Sequence, residues 1–180
     1  MFVEKGYARA TLDDVIAQAG GSRATIYQQF GSKERLFAAI IAEICADMVA
    51  PLEGAERDDE PSRVLLSVAR SYMSALMEPT SLALYRVLIG EGERVPAFAA
   101  AVFRSGPAVA ADTLATYLAR WHAEGRLAVE DPPIAARQFL EMVKGDLHLR
   151  ALLRLEPPSD AEIEHCVTSA VRVFLRGLSK

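Results

Sequence analysis

Apolar residues recur every three and four positions along almost the whole chain, and nowhere do they alternate in runs of β-branched residues. That spacing lines one face of a helix, so the pattern predicts an all-α fold. Three helix starts crowd into residues 11–32. Thr11 N-caps a helix over Leu12–Ala19, with Asp14 placed for a capping box and Asp13 favourable to the helix dipole, and Gly20 ends it. Ser22 caps a second helix over Arg23–Phe30, stopped by Gly31. Ser32 caps a third, whose apolar stripe of Leu36, Phe37, Ile40, Ile41, Ile44 and Met48 runs on until Pro51 and the polar stretch EGAERDDEPS end it. Beyond, Gly and Pro punctuation predicts helices near 61–77, 80–92, 96–105, 107–124, 132–154 and 159–178, with Gly106-Pro107 read as a helix stop followed by a first-turn proline.

The second helix is too short to be stable alone, because nucleation costs more than so few hydrogen bonds return. Two short helices joined through Gly20 and Gly21 have the form of a helix-turn-helix, whose second helix enters the DNA major groove. A groove about 12 Å wide needs only two turns of helix, and support then comes from neighbouring helices. Leu12, Val15, Ile16 and Ala19 on the first helix, with Ile26 and Phe30 on the second, form the inward faces. Arg23, Ala24, Thr25, Gln28 and Gln29 face outward with Tyr27 beside them. Arg and Gln suit guanine and adenine edges, hydroxyls and lysine suit phosphates, and a plain solvated helix face is the alternative for Arg23 and Gln28.

Composition adds bounds. The chain has 180 residues, 51% of them apolar, enough for a substantial core. Its net charge of −4 argues against a non-specific nucleic-acid binder, yet residues 1–37 carry one positive charge more than negative. A mildly basic head on an acidic body results, which divides the chain into a head of residues 1–48 and a body of residues 49–180. Cys45 and Cys166 stand far apart inside helical patterns, so they read as half-buried core thiols with no disulfide, no metal site and no cofactor. No apolar run reaches the length of a membrane span and the first residues lack a signal-peptide pattern, so a cytoplasmic place without membrane contact is expected.

The run from FVEKGYARATLDDVIAQAG through GSRATIYQQFGSKERLFAAI resembles the DNA-binding domain of the TetR family of transcriptional regulators. The resemblance lies in the Phe-x-x-x-Gly-Tyr approach, the Thr-capped helix, Thr-x-Tyr-x-x-Phe and Lys-Glu-x-Leu. It implies that Thr11 and Ser22 cap helices beside phosphates, that Thr25 and Tyr27 contact the DNA backbone, that Arg23, Ala24 and Gln28 face base edges, and that Lys33 grips a phosphate. Two departures stand out. Gly21 replaces a small branched residue, which should cost the head about 1–3 kcal/mol. Most of the family's first helix has no counterpart before Phe2, so we expect a natural extension ahead of Met1, without which the head would be less well covered.

Residues 134–155 are apolar nearly all round, and the last helix repeats the pattern more weakly, so both are expected to bury a second side against a symmetry mate in a four-helix bundle. The expected homodimer interface is Phe139, Val143, Leu147, Val167, Ala170, Val171 and Phe174. Two recognition helices in a dimer favour a palindromic double-stranded DNA operator. The stretches LYRVLIGEGERVPAFAAAVFRSGP, LAVEDPPIAARQFLEMVKGDLHLRALL and SDAEIEHCVTSAVRVFLRG resemble the C-terminal domain of AefR-like TetR regulators. This implies an effector cavity among the central helices and a joining helix that ligand binding shifts. Tyr72, Met73, Leu76, Tyr85, Phe98, Phe103, Tyr117, Trp121 and Met142 are its candidate lining for a small, partly apolar effector, although such stripes also build plain cores.

Two other classes compete. Glu162-x-x-His165 has the spacing of a di-iron helical bundle, but no second such motif exists in the chain, and His122 and His148 lack nucleophile or paired-carboxylate partners in a recognisable motif. Asp146 beside His148 reads as an interface salt bridge. The other rival is a dimerisation module with an inactive head. The sequence is best read as a one-component transcriptional regulator, not an enzyme, acting as a repressor released by a small ligand.

Overall fold

A computed structural model describes residues 9–19, 22–55 and 59–178. The expected Gly20-Gly21 turn, the inward role of Ala19 and the approach before Ala8 lie outside the described residues. Ten helices occur among the described residues: α1 Leu12–Ala19, α2 Arg23–Phe30, α3 Lys33–Glu53, α4 Pro61–Met77, α5 Pro79–Gly92, α6 Pro96–Ser105, α7 Pro107–Ala123, α8 Pro132–Lys144, α9 Leu147–Leu152 and α10 Asp160–Gly177. Helices α4 to α8 all start on proline. A first-turn proline forgoes an N–H that would have had no helical partner, and its fixed φ suits the helix. Side chains complete other ends: Asp131 accepts from the Ile134 N–H at 2.9 Å, and Ser159 and Glu162 form a full capping box.

Two helix boundaries differ from the sequence pattern. Helix α3 runs past Pro51 to Glu53. Proline cannot donate to the carbonyl four residues back, which is that of Asp47, and the Ser71 hydroxyl donates to this oxygen at 2.9 Å instead. Leu52, in the last turn, is fully buried and holds the helix end in the core. The second difference is the expected helix over 132–154, which breaks between α8 and α9. Gly145 there has φ 51° and ψ −142°, a region reserved for glycine, and a Cβ on it would lie 3.1 Å from the Cys166 Sγ. The break turns α9 so that Leu147, His148 and Ala151 face inward, while Arg86 on α5 donates to the carbonyls of Ala151 (2.6 Å) and Leu152 (2.8 Å) at its end.

The core has two parts. The larger joins the C-terminal half of α3 to α4, α7, α8 and α10 through Leu52, Leu65, Val68, Met73, Leu114, Leu118, Trp121, Phe139 and Val167. The smaller seats the head: Ala10, Leu12, Leu36 and Phe37 meet Leu84, Phe98 and Val102 of the body, with Phe37 edge-on to Phe98 at 5.0 Å. Helix α3 belongs to both. The position 48/49, where the sequence suggested a boundary, falls inside it.

Candidate functional site

Helix α2 has no buried residue. Its stability comes from Ile26 and Phe30, which pack with Val15 of α1 onto the small core, while Leu12 is buried there. Arg23, Ala24, Thr25, Tyr27 and Gln28 all lie exposed along one short element, as expected, with Tyr27 41% accessible. Two of them are engaged. Arg23 donates to Asp13 on α1 at 2.7 Å and its guanidinium stands 5.6 Å from the Tyr27 ring centre. Such an exposed pair contributes about 0–1 kcal/mol, so DNA could take the arginine at little cost.

The caps are partly as expected. Thr11 and Asp14 exchange bonds: the threonine hydroxyl and N–H donate to the carboxylate at 2.9 and 3.0 Å, and the Asp14 N–H donates to the hydroxyl at 3.2 Å. Ser22 adopts the extended backbone of an N-cap, yet its side chain makes no capping hydrogen bond. Ser32 does cap α3, accepting from the Arg35 N–H at 3.2 Å, and Lys33 is the first residue of that helix.

In the body, helices α3 to α9 all contribute to the wall of a cavity of about 380 Å³. Four of the nine candidate lining residues reach it: Tyr72, Leu76, Tyr85 and Phe103. The other five do not. Met73 and Trp121 are buried in the main core, Tyr117 stacks edge-on against Trp121 at 6.2 Å, Phe98 lies under the head, and Met142 faces outward from α8. Helical stripes cannot distinguish the side of a helix that meets a void from the side that meets another helix.

Sequence reasoning missed the rest of the wall. Ile41, Ile44, Cys45 and Met48 of α3 line it, as do Ser81, Arg137, Glu141, Lys144 and His148. A signal existed: Arg137, Glu141 and Lys144 repeat at four and three positions, a charged row on a helix whose other residues are apolar but for Gln138. Lys144 bridges Glu141 at 2.7 Å. His148, only 5% accessible, stacks edge-on with Tyr85 at 4.9 Å. Burial, and next the Lys144 charge, push its pKa down to about 4, with Glu141 pulling weakly the other way. The imidazole is therefore neutral at neutral pH. Burial raises the Tyr72 phenol, helped by Glu141, Tyr85 and Cys45, and raises the Cys45 thiol to about 11.

The seven residues expected at a dimer interface are all buried in the single chain, although Leu147 and Ala170 also border an outward groove beside α8 and α10. Phe139, Val143, Leu147, Val167, Ala170, Val171 and Phe174 are buried within the chain itself, with Phe139 against Phe174 at 4.8 Å. They sit on α8, α9 and α10 where these helices meet one another and the rest of the bundle. The outward stripe of the same helices carries Met142 (38% accessible) and Val173 (52%), flanking a groove that also contains Arg150, Glu162, His165 and Ser169. Glu162 is already committed: Ser159 first, then Arg150 at 3.2 Å, hold its carboxyl below the usual range. His122 accepts from the Val129 N–H at 3.1 Å. No group of three metal-ligating side chains occurs among the described residues, and no helix there is long and apolar enough to cross a membrane.

A short, exposed second helix on a seated helix-turn-helix head, joined by one long helix to a hollow helical body, defines a helix-turn-helix regulator. Residues 1–40 match the family profile of bacterial regulatory proteins, tetR family, and residues 63–177 that of the AefR-like transcriptional repressor C-terminal domain. The chain belongs to the TetR family of transcriptional regulators, which are not enzymes. Among solved structures, the flavonoid-responsive regulator FrrA is 31% identical, with 99% of this chain and 91% of that one covered at a TM-score of 0.78. A TetR-family protein from Mesorhizobium loti shares the fold at 23% identity, covering 99% and 91%, with a TM-score of 0.84. A third, from Pseudomonas syringae, is 25% identical over 98% and 90%, at 0.70. Comparison with curated proteins yields no match.

Proposed function

We propose that this chain is a homodimeric, one-component transcriptional repressor. It binds a palindromic operator through the head, residues 1–48, and leaves it when a small, partly apolar effector enters the cavity of the body, residues 49–180. The observation that carries this reading is the double membership of α3. Its first turns put Leu36 and Phe37 into the head's core, and its next turns put Ile41, Ile44, Cys45 and Met48 into the cavity wall. A ligand that displaces the wall moves the rod on which the recognition helix is seated. The required effect is a coupling free energy, so operator DNA must weaken effector binding by the same factor as effector weakens DNA binding.

Within the head, Lys33, Tyr27, Thr25, Thr11 and Ser22 take phosphates, while Arg23, Ala24 and Gln28 meet base edges. The partner copy covers the outward stripe of α8 and α10, where apolar Met142 and Val173 alternate with both signs of charge. FrrA is flavonoid-responsive, which makes a flavonoid the first compound to try. The decisive experiment is selection of genomic fragments with the purified protein, followed by competition with unrelated DNA. A recovered palindrome bound about a thousandfold or more above random sequence supports the reading. Recovery of random fragments only, or no salt-dependent retention, would favour the alternative of a dimerisation module with an inactive head.

A further inference from the structure

We infer that the molecule the cavity takes is uncharged and mainly aromatic, with one hydroxyl that pairs with Nε2 of His148; this rests on the reading of the cavity as the effector site. Among the described residues His148 is the polar side chain that is buried as a whole, 5% accessible, and its Nε2 has no hydrogen-bond partner. A buried nitrogen without a partner is unfavourable, and here the rest of the fold imposes it: the Gly145 break and the Arg86 bonds to α9 hold the ring at the cavity wall.

The type of partner follows from charge. Near neutral pH the imidazole is uncharged, so it offers one donor and one acceptor nitrogen. A hydroxyl donates to one tautomer and accepts from the other, whereas a carboxylate only accepts and an ammonium only donates. The ionised lining is balanced, Arg137 and Lys144 against Asp112 and Glu141, and Lys144 is already bridged to Glu141. The lining thus carries no net charge to set against the desolvation of a charged ligand. The body of the ligand is indicated by the remaining wall. Tyr85 stands edge-on to His148, and Tyr72, Phe103 and the sulfurs of Cys45 and Met48 favour ring contacts over flexible chains. A volume of about 380 Å³ lies at the small end of the ligand-pocket range, which suits two or three fused or linked rings.

The test uses three probes of one shape, β-naphthol, naphthalene and β-naphthoate, titrated calorimetrically into the whole protein and its His148→Phe and His148→Gln variants. Wild type should bind β-naphthol about tenfold or more tighter than either other probe. His148→Phe should bring naphthol and naphthalene within about twofold of each other with naphthalene binding unchanged, while His148→Gln, which keeps a donor and an acceptor, should retain the preference. Unchanged naphthalene affinity also reports that the cavity is intact in the variants. Equal binding of naphthol and naphthalene by wild type, tightest binding of naphthoate, or an undiminished naphthol preference in His148→Phe overturns the inference and leaves the effector cavity standing. Failure of all three probes to bind overturns both.

Discussion

The side chains of α2 and the start of α3 are held by contacts that cost little to break, which suits residues that must re-pair on DNA. Lys33→Ala should weaken binding to all sequences alike and lower the salt slope of the binding constant by about 1, measured by titration at several salt concentrations. Gln28→Ala should instead cost about 1–3 kcal/mol at one operator position and relax the preference there; an equal loss on every operator would count against base reading. His148 sets a different expectation. Its pKa is about 4 in the fold against an ordinary 6.5, with Lys144, Glu141 and Tyr85 facing it, so the unfolded chain binds the proton more readily in between. The resulting stabilisation is complete above pH 6.5 and is lost as pH falls toward 4, by about 3 kcal/mol in all. Denaturant melts across that window should show the fall in wild type and a shallower one in His148→Gln.

At the scale of elements, α3 is the member on which both halves depend, and Gly106 is where the α6–α7 corner touches it. A Cβ at this position would lie 2.9 Å from the Ile41 Cγ2, 3.0 Å from the Cys45 Sγ and 3.3 Å from the Ile41 carbonyl oxygen. Gly106→Ala should therefore force the corner and α3 apart, destabilising the fold by about 1–3 kcal/mol in chemical denaturation. Because Ile41 and Cys45 also wall the cavity, the variant should change operator affinity even though it touches no DNA-facing residue. The continuity of α3 past Pro51 belongs to this scale too. A proline that reads as a stop is tolerated because a serine twenty residues further on satisfies the carbonyl it leaves behind, and no local pattern announces that bond.

For the whole molecule, the outward stripe of α8 and α10 is the surface on which dimerisation can be tested. Val173→Glu places a charge in the middle of it without entering the chain's own core, since Val173 is half exposed. Sedimentation should then report a monomer with unchanged helicity, and palindrome binding should weaken by more than a hundredfold, about the loss of linking two sites. A dimer that survives the change would place the partner elsewhere. Val171→Glu, one stripe round, should instead unfold the protein, because that residue is sealed inside the bundle.

Local pattern was enough for most of the helices, for their starts at Thr11, Ser32, Pro61 and Ser159, and for the exposed face of α2, because caps, prolines and periodicity act within a turn or two of chain. It also carried the family resemblance of head and body. What depended on tertiary structure was which side of each apolar helix meets what. An apolar stripe is the same whether it seals a core, lines a void or meets a second copy. So Phe139 and Val171 turned inward while Met142 and Val173 turned out, and only four of nine candidate residues reached the cavity. His148 shows the reason most plainly. Its place at the wall is produced by a glycine with positive φ and by an arginine more than sixty residues away, and burial among partners from distant helices is what makes it neutral.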